Sequence, residues 1–347
     1  MRPFAYQRVA DVGSGVRALA ASATTDNTPL TGSTIQPLAG GTTLIDLMKL
    51  DVMRPSIVID INPLASEWSA IDAGGGNLRL GALARMSDVA ANSEIQKNYP
   101  VIADSLKLAA SAQLRNMATL GGNVLQRTRC SYFRDVSYVN CNKRNPGSGC
   151  AALEGFNRSH AVLGTSEQCI ATYPGDFAQA LIALDATVEI TGKSGIRVVP
   201  FAQLHKPPGN SPQIETTLTS GELISAFVVP GRWPRSVYLK ARDRQSYEFA
   251  LASAAVALDV QEGVVRDAHL ALGGVATVPW RAREAESLLK GQAFSLLKGQ
   301  AFNGDLAGRV AEAAFAEARG RKYNAFKIEL GRRVIARALH VAATMEV

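Results

Sequence analysis

Every cysteine of this 347-residue chain falls between positions 130 and 169: Cys130, Cys141, Cys150 and Cys169. The stretch around them, 127–168, has no sustained period of 3.6 or 2 and is rich in Arg, Asn, Gly and Pro. So long an aperiodic stretch inside a compact domain is expected to be functional, and a bound metal group would supply the order that patterning does not. The spacing C-x10-C-x8-C-x18-C lacks the CxxC of zinc ribbons and thioredoxin-like sites, and the compact run of bacterial ferredoxins. Four readings compete: a [4Fe–4S] cluster, a tetrahedral zinc, two disulfides, or unrelated buried thiols. Confinement of every cysteine to one window weakens the last. Spacing alone does not separate the other three.

Hydrophobic residues make up 47% of the chain and charged ones 19%, which fits a soluble globular protein of two or three domains. No apolar run approaches the roughly 18 residues of a membrane span. The longest, 249–258, predicts a buried element. The N-terminus lacks the apolar core of a secretory signal, so the chain by itself is not addressed for export, although an exported partner could carry it. The net charge of +7 is not massed in an arm or interleaved with aromatics, so nucleic-acid binding is not expected.

Periodicity outlines the rest. An alanine-rich helix around 16–20 leads to a polar loop at 24–27. Residues 35–49 predict a strand, a Gly40-Gly41 turn and a helix starting near Thr42 or Thr43; with the strand 56–61 they make a small βαβ unit. A strand at 77–83 and a helix over 101–113, with Ile102, Leu106 and Ala109 or Ala110 on one face, precede the Gly121-Gly122 turn. Beyond the cysteines come a helix at 176–184, a strand at 187–190, and a boundary at Pro230-Gly231-Arg232-Trp233-Pro234. Strands at 237–240 and 268–275 follow. A final helix carries Leu330, Val334, Ala338, Val341 and Met345 as its apolar stripe. The octapeptide SLLKGQAF at 287–294 repeats at 295–302, a local duplication without chemistry.

Each Gly-Gly turn can set free N–H groups against a pyrophosphate, yet any tight strand-to-helix turn uses glycine. Neither is a GxGxxG fingerprint or a P-loop. His160, His205, His269 and His340 are scattered, each expected to be structural or exposed, and no hydrolytic triad or HExxH occurs.

In order along the chain, Pro37-Leu38-Ala39-Gly40-Gly41-Thr42-Thr43-Leu44, Ala118-Thr119-Leu120-Gly121-Gly122-Asn123, Gly175-Asp176, Gly221-Glu222-Leu223-Ile224, Tyr238-Leu239-Lys240-Ala241-Arg242 and Leu272-Gly273-Gly274-Val275 resemble the FAD-binding subunits of molybdenum hydroxylases. Most members pass from the second glycine loop to the equivalent of Gly175-Asp176 in about ten residues, whereas about 50 intervene here and hold all the cysteines. That insert is most similar to the periplasmic aldehyde oxidoreductase branch, which carries an extra [4Fe–4S] cluster. The resemblance therefore implies a cluster on Cys130, Cys141, Cys150 and Cys169.

The resemblance further implies an α+β fold: a two-part FAD-binding module of the PCMH type, with subdomains 1–62 and 63–230 and the iron–sulfur insert at 124–175, then a C-terminal α+β domain at 235–347 of the CO dehydrogenase flavoprotein type. Backbone N–H groups of residues 38–44 and 119–123 are expected to hold the FAD pyrophosphate. Pro37 leads into the first loop, and Thr42, Thr43, Thr119 and Asn123 add side-chain bonds. Asp176 is expected near the ribityl or ribose region, with Ile224 and Lys240 flanking the flavin. No residue of the chain is expected to do acid–base work. The subunit is expected to relay electrons from a large molybdenum-cofactor subunit and a small [2Fe–2S] subunit through FAD to an external acceptor. An aldehyde substrate, and a periplasmic location reached with a signal-bearing partner (otherwise the cytoplasm), come from the resemblance alone. The alternatives are the FAD subunit of a hydroxylase acting on xanthine, an N-heterocycle or an aromatic acyl-CoA, a self-contained FAD oxidoreductase, or a scaffold braced by zinc or disulfides.

Overall fold

The structure, a computed structural model, describes residues 1–21, 30–293 and 306–347. Strands β1 (Ala5–Arg8), β2 (Ile35–Leu38) and β3 (Ile57–Asp60) form a parallel sheet in the order β1-β3-β2. The helix Leu44–Lys49 makes the crossover from β2 to β3, as the βαβ pattern predicts. A parallel sheet is covered on both faces, and period two distributes the central strand between them. Val58 packs with Leu44, Leu47 and Met48, whereas Ile59 packs with Leu19, Leu64 and Trp68 on the other face. The Val58 side also contains Cys130, Phe133, Cys141 and Cys169. The cysteine stretch is therefore folded onto the helix that follows the first glycine turn.

A second sheet runs β4-β5-β8-β6-β7, every pair antiparallel: β4 (Ile71–Asp72), β5 (Leu78–Gly81), β6 (Thr187–Gly192), β7 (Gly195–Pro200) and β8 (Leu223–Val229). The helices Pro100–Lys107 and Phe177–Ala183 share its core through Ile102, Leu106, Phe177 and Leu181. The helix expected over 101–113 stops early. Ala110 has φ of +49°, and Ser111 opens a new helix, Ala112–Met117, by accepting the Leu114 N–H at 3.3 Å.

The third sheet is antiparallel, β12-β11-β10-β9: β9 (Ser236–Ala241), β10 (Ala252–Gln261), β11 (Val264–Gly273) and β12 (Trp280–Arg281). Ala254, Val256 and Leu258 of β10 face the helices Leu306–Ala314 and Phe326–Thr344; Ala255 and Ala257 face the core of the second sheet. The apolar run 249–258 lacks alternation because most of it lies in a strand buried on both faces. In the last helix the buried stripe is Gly331, Ile335, Ala338, Leu339 and Ala342. Leu330, Val334, Val341 and Met345 flank it, only partly buried, so the predicted stripe is rotated from the true one. The predicted polar loop at 24–27 and the second SLLKGQAF copy lie outside the described residues.

Candidate cofactor sites

The two glycine turns meet. A Cβ on Gly40 would stand 2.0 Å from the carbonyl oxygen of Met117, so only glycine permits the approach. Gly41 takes φ of +74°, which turns the chain from β2 toward the helix. Arg85 donates to the Met117 carbonyl and reaches Asn62 Oδ1 at 3.4 Å, while Asn62 donates to the Ala39 carbonyl at 3.1 Å. This Arg85–Asn62 clamp has no sequence signature, since its members stand 23 residues apart.

The loops differ in what they offer a ligand. Among the described residues, the N–H groups of Gly40, Gly41, Thr42 and Thr43 donate to no other protein atom. These four residues are half-buried, as are Leu38 and Ala39, whereas Pro37 is exposed and Leu44 is buried in the core. Thr43 occupies the N-cap position but makes no side-chain cap bond. In the second loop the N–H groups are already committed: Leu120 to Ala84 at 3.0 Å, Gly121 to Ala82 at 2.8 Å, Gly122 to Thr119 Oγ1 at 3.2 Å and Asn123 to Thr119 at 2.8 Å. Four of the five N–H groups of 119–123 are thus engaged within the chain, two by the carbonyls of Ala82 and Ala84 just past β5 and two by Thr119 at the start of the helix Leu120–Val124. The loop also carries the Asn123 side chain, whose Oδ1, an acceptor, is buried without a partner.

Asp176 and Lys240 are brought together. Lys240 Nζ donates to Asp176 Oδ2 at 2.8 Å and Tyr238 Oη donates to Oδ1 at 2.6 Å; the Asp176 and Lys240 side chains are 4% and 1% exposed. Burial pushes the Asp176 carboxyl up from its ordinary value, opposed by the Lys240 ammonium and the Tyr238 hydroxyl. Lys240 Nζ also donates to the Leu108 carbonyl at 3.1 Å. The pair ties the helix Phe177–Ala183 to β9. Ile224, on β8, is buried in the same core as Phe177 and Tyr238, next to Ser225, whose carbonyl accepts the Ala82 N–H at 2.9 Å.

The four cysteines are all free and line one small pocket with Phe133 and Lys143. Cys141 and Cys150 face each other across a β-bridge. Among the described residues no group of three or more His, Cys, Asp or Glu converges closely enough to hold a single metal ion. Burial pushes the Cys130 thiol up to about 12 and raises Cys141. A hydrogen bond from the Cys169 thiol draws Cys150 down to about 6 and correspondingly raises Cys169. As a donor set this is four free cysteine sulfurs, one inclined to ionise, in a largely buried pocket.

Three neighbours of this cavity were invisible to motif reading. Asp46 accepts from Arg134 at 2.8 and 3.1 Å and from Arg129 at 3.1 Å. Glu215 accepts from Arg127 at 2.7 and 3.1 Å and from Lys143 at 3.1 Å; burial opposes its charge, but these two cations hold its carboxyl down at about 2. His160 Nε2 lies 3.1 Å from Cys130 Sγ, and burial, with Lys327 adding, lowers the imidazole to about 4. Only the last could have been suspected, as a histidine inside the cysteine window. His205 is half-buried against the Val124 carbonyl at 3.1 Å, and His269 lies beside Asp267 and Asp185 at 3.3 and 3.7 Å.

Residues 2–232 match the family described as the FAD binding domain in molybdopterin dehydrogenase, and residues 237–342 match the CO dehydrogenase flavoprotein C-terminal domain. The chain is 45% identical over 304 residues to the aldehyde oxidoreductase FAD-binding subunit PaoB of Escherichia coli, covering 87% of this chain and 89% of that one. It is 27% identical to the glyceraldehyde dehydrogenase medium chain of Sulfolobus acidocaldarius, over 74% of each. Carbon monoxide dehydrogenase from Hydrogenophaga pseudoflava superposes with a TM-score of 0.72 at 24% identity, covering 98% and 97% of the two chains. Quinoline 2-oxidoreductase from Pseudomonas putida 86 gives 0.70 at 21% identity, covering 99% and 97%. At those identities the superpositions speak for the fold alone.

Proposed function

The chain belongs to the FAD-binding subunits of the molybdenum hydroxylases, and from that premise we propose that it is the electron-transfer subunit of an aldehyde-oxidising complex, holding FAD and a [4Fe–4S] cluster. The aldehyde reading rests on the 45% identity to an aldehyde oxidoreductase subunit. The observation that carries the two-cofactor reading is the shared core: the helix behind the first glycine turn packs against three of the four cysteines.

Gly40, Gly41, Thr42 and Thr43 would hold the FAD pyrophosphate through their uncommitted N–H groups, while Asn123, whose unpartnered Oδ1 accepts, would take a hydrogen bond from a cofactor hydroxyl. The adjoining helix has six residues, too short for a strong dipole, so discrete N–H groups carry the binding. Asp176, Ile224 and Lys240 would border the rest of the cofactor. Bound FAD supplies one- and two-electron exchange, and the chain positions it and shields it from water. Cys130, Cys141, Cys150 and Cys169 would ligate the cluster through deprotonated sulfurs, with release of protons on binding. The chain receives electrons released in a large molybdenum-cofactor subunit and a small [2Fe–2S] subunit and hands them to an external acceptor. It reaches the periplasm with a signal-bearing partner.

Anaerobic purification of the co-expressed complex tests this. Flavin absorbance and about four irons per copy of this chain, beyond those of the small subunit, are expected. A preparation with one zinc and no extra iron would overturn the cluster. One that never co-purifies with a molybdenum subunit would overturn the relay.

A further inference from the structure

His160 is 2% exposed, its Nε2 stands 3.1 Å from Cys130 Sγ, and its Nδ1 is buried without a partner. The atom that faces Nε2 at hydrogen-bonding distance is a sulfur expected to bind iron. A sulfur bound to iron carries no proton, so the hydrogen of this contact must come from the imidazole.

The ring is aimed by a fixed backbone. The His160 carbonyl accepts from Lys327 Nζ at 3.1 Å and Asn324 Nδ2 at 3.4 Å, and its N–H donates to the Asn157 carbonyl at 3.0 Å. Lys327 also donates to the carbonyls of Ser159 at 3.1 Å and Gly274 at 2.5 Å. The C-terminal helix thus locks the peptide that bears the imidazole. Among the described residues, none of the other three cysteines has an imidazole at hydrogen-bonding distance: Cys169 Sγ, for example, accepts the Ala171 N–H at 3.4 Å.

We infer that His160 is a positioning residue for the iron–sulfur group, donating Nε2–H to the Cys130 sulfur and thereby raising that group's reduction potential. A donor to a ligand sulfur favours the reduced, more negative state over the oxidised one. The inference rests on the cluster reading above and adds to it which sulfur is tuned and by which atom.

The test compares the purified complex carrying the natural chain with complexes carrying His160→Phe, which keeps a ring without a donor, and His160→Gln, which keeps an N–H donor. Iron per chain and the midpoint potential, from a redox titration followed by electron paramagnetic resonance, are measured for all three. The expected result is unchanged iron, a lower potential in the Phe variant, and a Gln variant closer to the natural value. If the Phe variant sheds its iron, a Gln variant with iron and a near-natural potential still supports the donor. Full iron with one common potential overturns the inference and leaves the cluster standing. Loss of iron from both variants with flavin retained overturns it in favour of simple bracing. A natural chain without extra iron overturns the cluster reading, and the inference with it.

Discussion

Arg134, four residues past the first cysteine, donates both terminal nitrogens to Asp46, at 2.8 and 3.1 Å. Asp46 sits two residues into the helix that follows the first glycine turn. Through this pair, the segment that would carry one cofactor is fastened to the element that would present backbone to the other. Its side chains are 24% and 37% exposed, so solvent screens the pair, and it contributes on the order of 1 kcal/mol. Removing the carboxylate in Asp46→Ala also leaves Arg129 and Arg134 adjacent without a counter-ion. We expect little change in global stability, but cleavage within 127–168 in limited proteolysis faster by about fivefold, the equivalent of about 1 kcal/mol of local opening.

Glu215 makes this region acid-sensitive. Its carboxyl is held at about 2 in the folded chain, below the ordinary 4.5. A carboxyl lowered on folding stabilises the fold fully above its unfolded value, and that contribution disappears as pH falls through the folded one. Unfolding monitored from pH 5 to 2 should therefore show a loss of roughly 3 kcal/mol from this group. Glu215→Gln should be less stable at neutral pH and show a flatter acid limb. An acid limb identical in both chains would mean that Arg127 and Lys143 do not act through this carboxylate.

The Asp176–Lys240 pair gives a sharper test because both side chains are almost fully buried. Lys240→Met strands a buried carboxylate and should cost about 3–5 kcal/mol. Asp176→Asn should cost a similar amount. The double variant, with neither charge, should recover most of one single loss, so that a double-mutant cycle in urea yields a large favourable coupling. Additive losses would show that the two side chains do not form one unit.

Much of the frame was legible in residue patterns because it depends on neighbours in sequence. The strand–turn–helix around Gly40-Gly41 follows from period and turn chemistry, and the disordered-looking stretch 127–168 does contain only one short helix, Ser131–Arg134. Less legible was anything decided by partners far away in the chain. Whether a glycine-loop N–H is free depends on its neighbours in space: those of Leu120 and Gly121 are consumed by Ala84 and Ala82. His160 looked like a lone structural histidine because the sulfur it faces is 30 residues back. The final helix was predicted with its stripe rotated because leucine and valine at its flank outweigh the small residues that allow close approach, such as Gly331, where a Cβ would stand 2.2 Å from Phe315.

Lys327 is the extreme case of that blindness: a lysine on a surface-type helix that is 0% exposed and whose recorded partners are backbone carbonyls, not carboxylates. Three carbonyls, from Ser159, His160 and Gly274, match the three donors of an ammonium. Burial, with Arg158 nearby, nevertheless lowers its pKa to about 7 from the ordinary 10.5. For a base lowered on folding, the folded chain binds fewer protons between those values, so stability should rise as pH climbs from about 7 toward 10.5. Lys327→Met removes the buried charge but leaves the Gly274 carbonyl without its donor, a loss of about 1–3 kcal/mol, whereas the Ser159 carbonyl keeps Thr172 Oγ1 at 2.8 Å and the His160 carbonyl keeps Asn324 Nδ2 at 3.4 Å. At pH 7 the orphaned Gly274 carbonyl and the two lost Lys327 bonds should outweigh the relief of desolvation, and the variant should be less stable in urea by about 1–3 kcal/mol. Its stability should also lose most of the alkaline rise. A variant as stable as the natural chain, with the rise intact, would show that the ammonium does not hold residues 159–160 against the C-terminal helix.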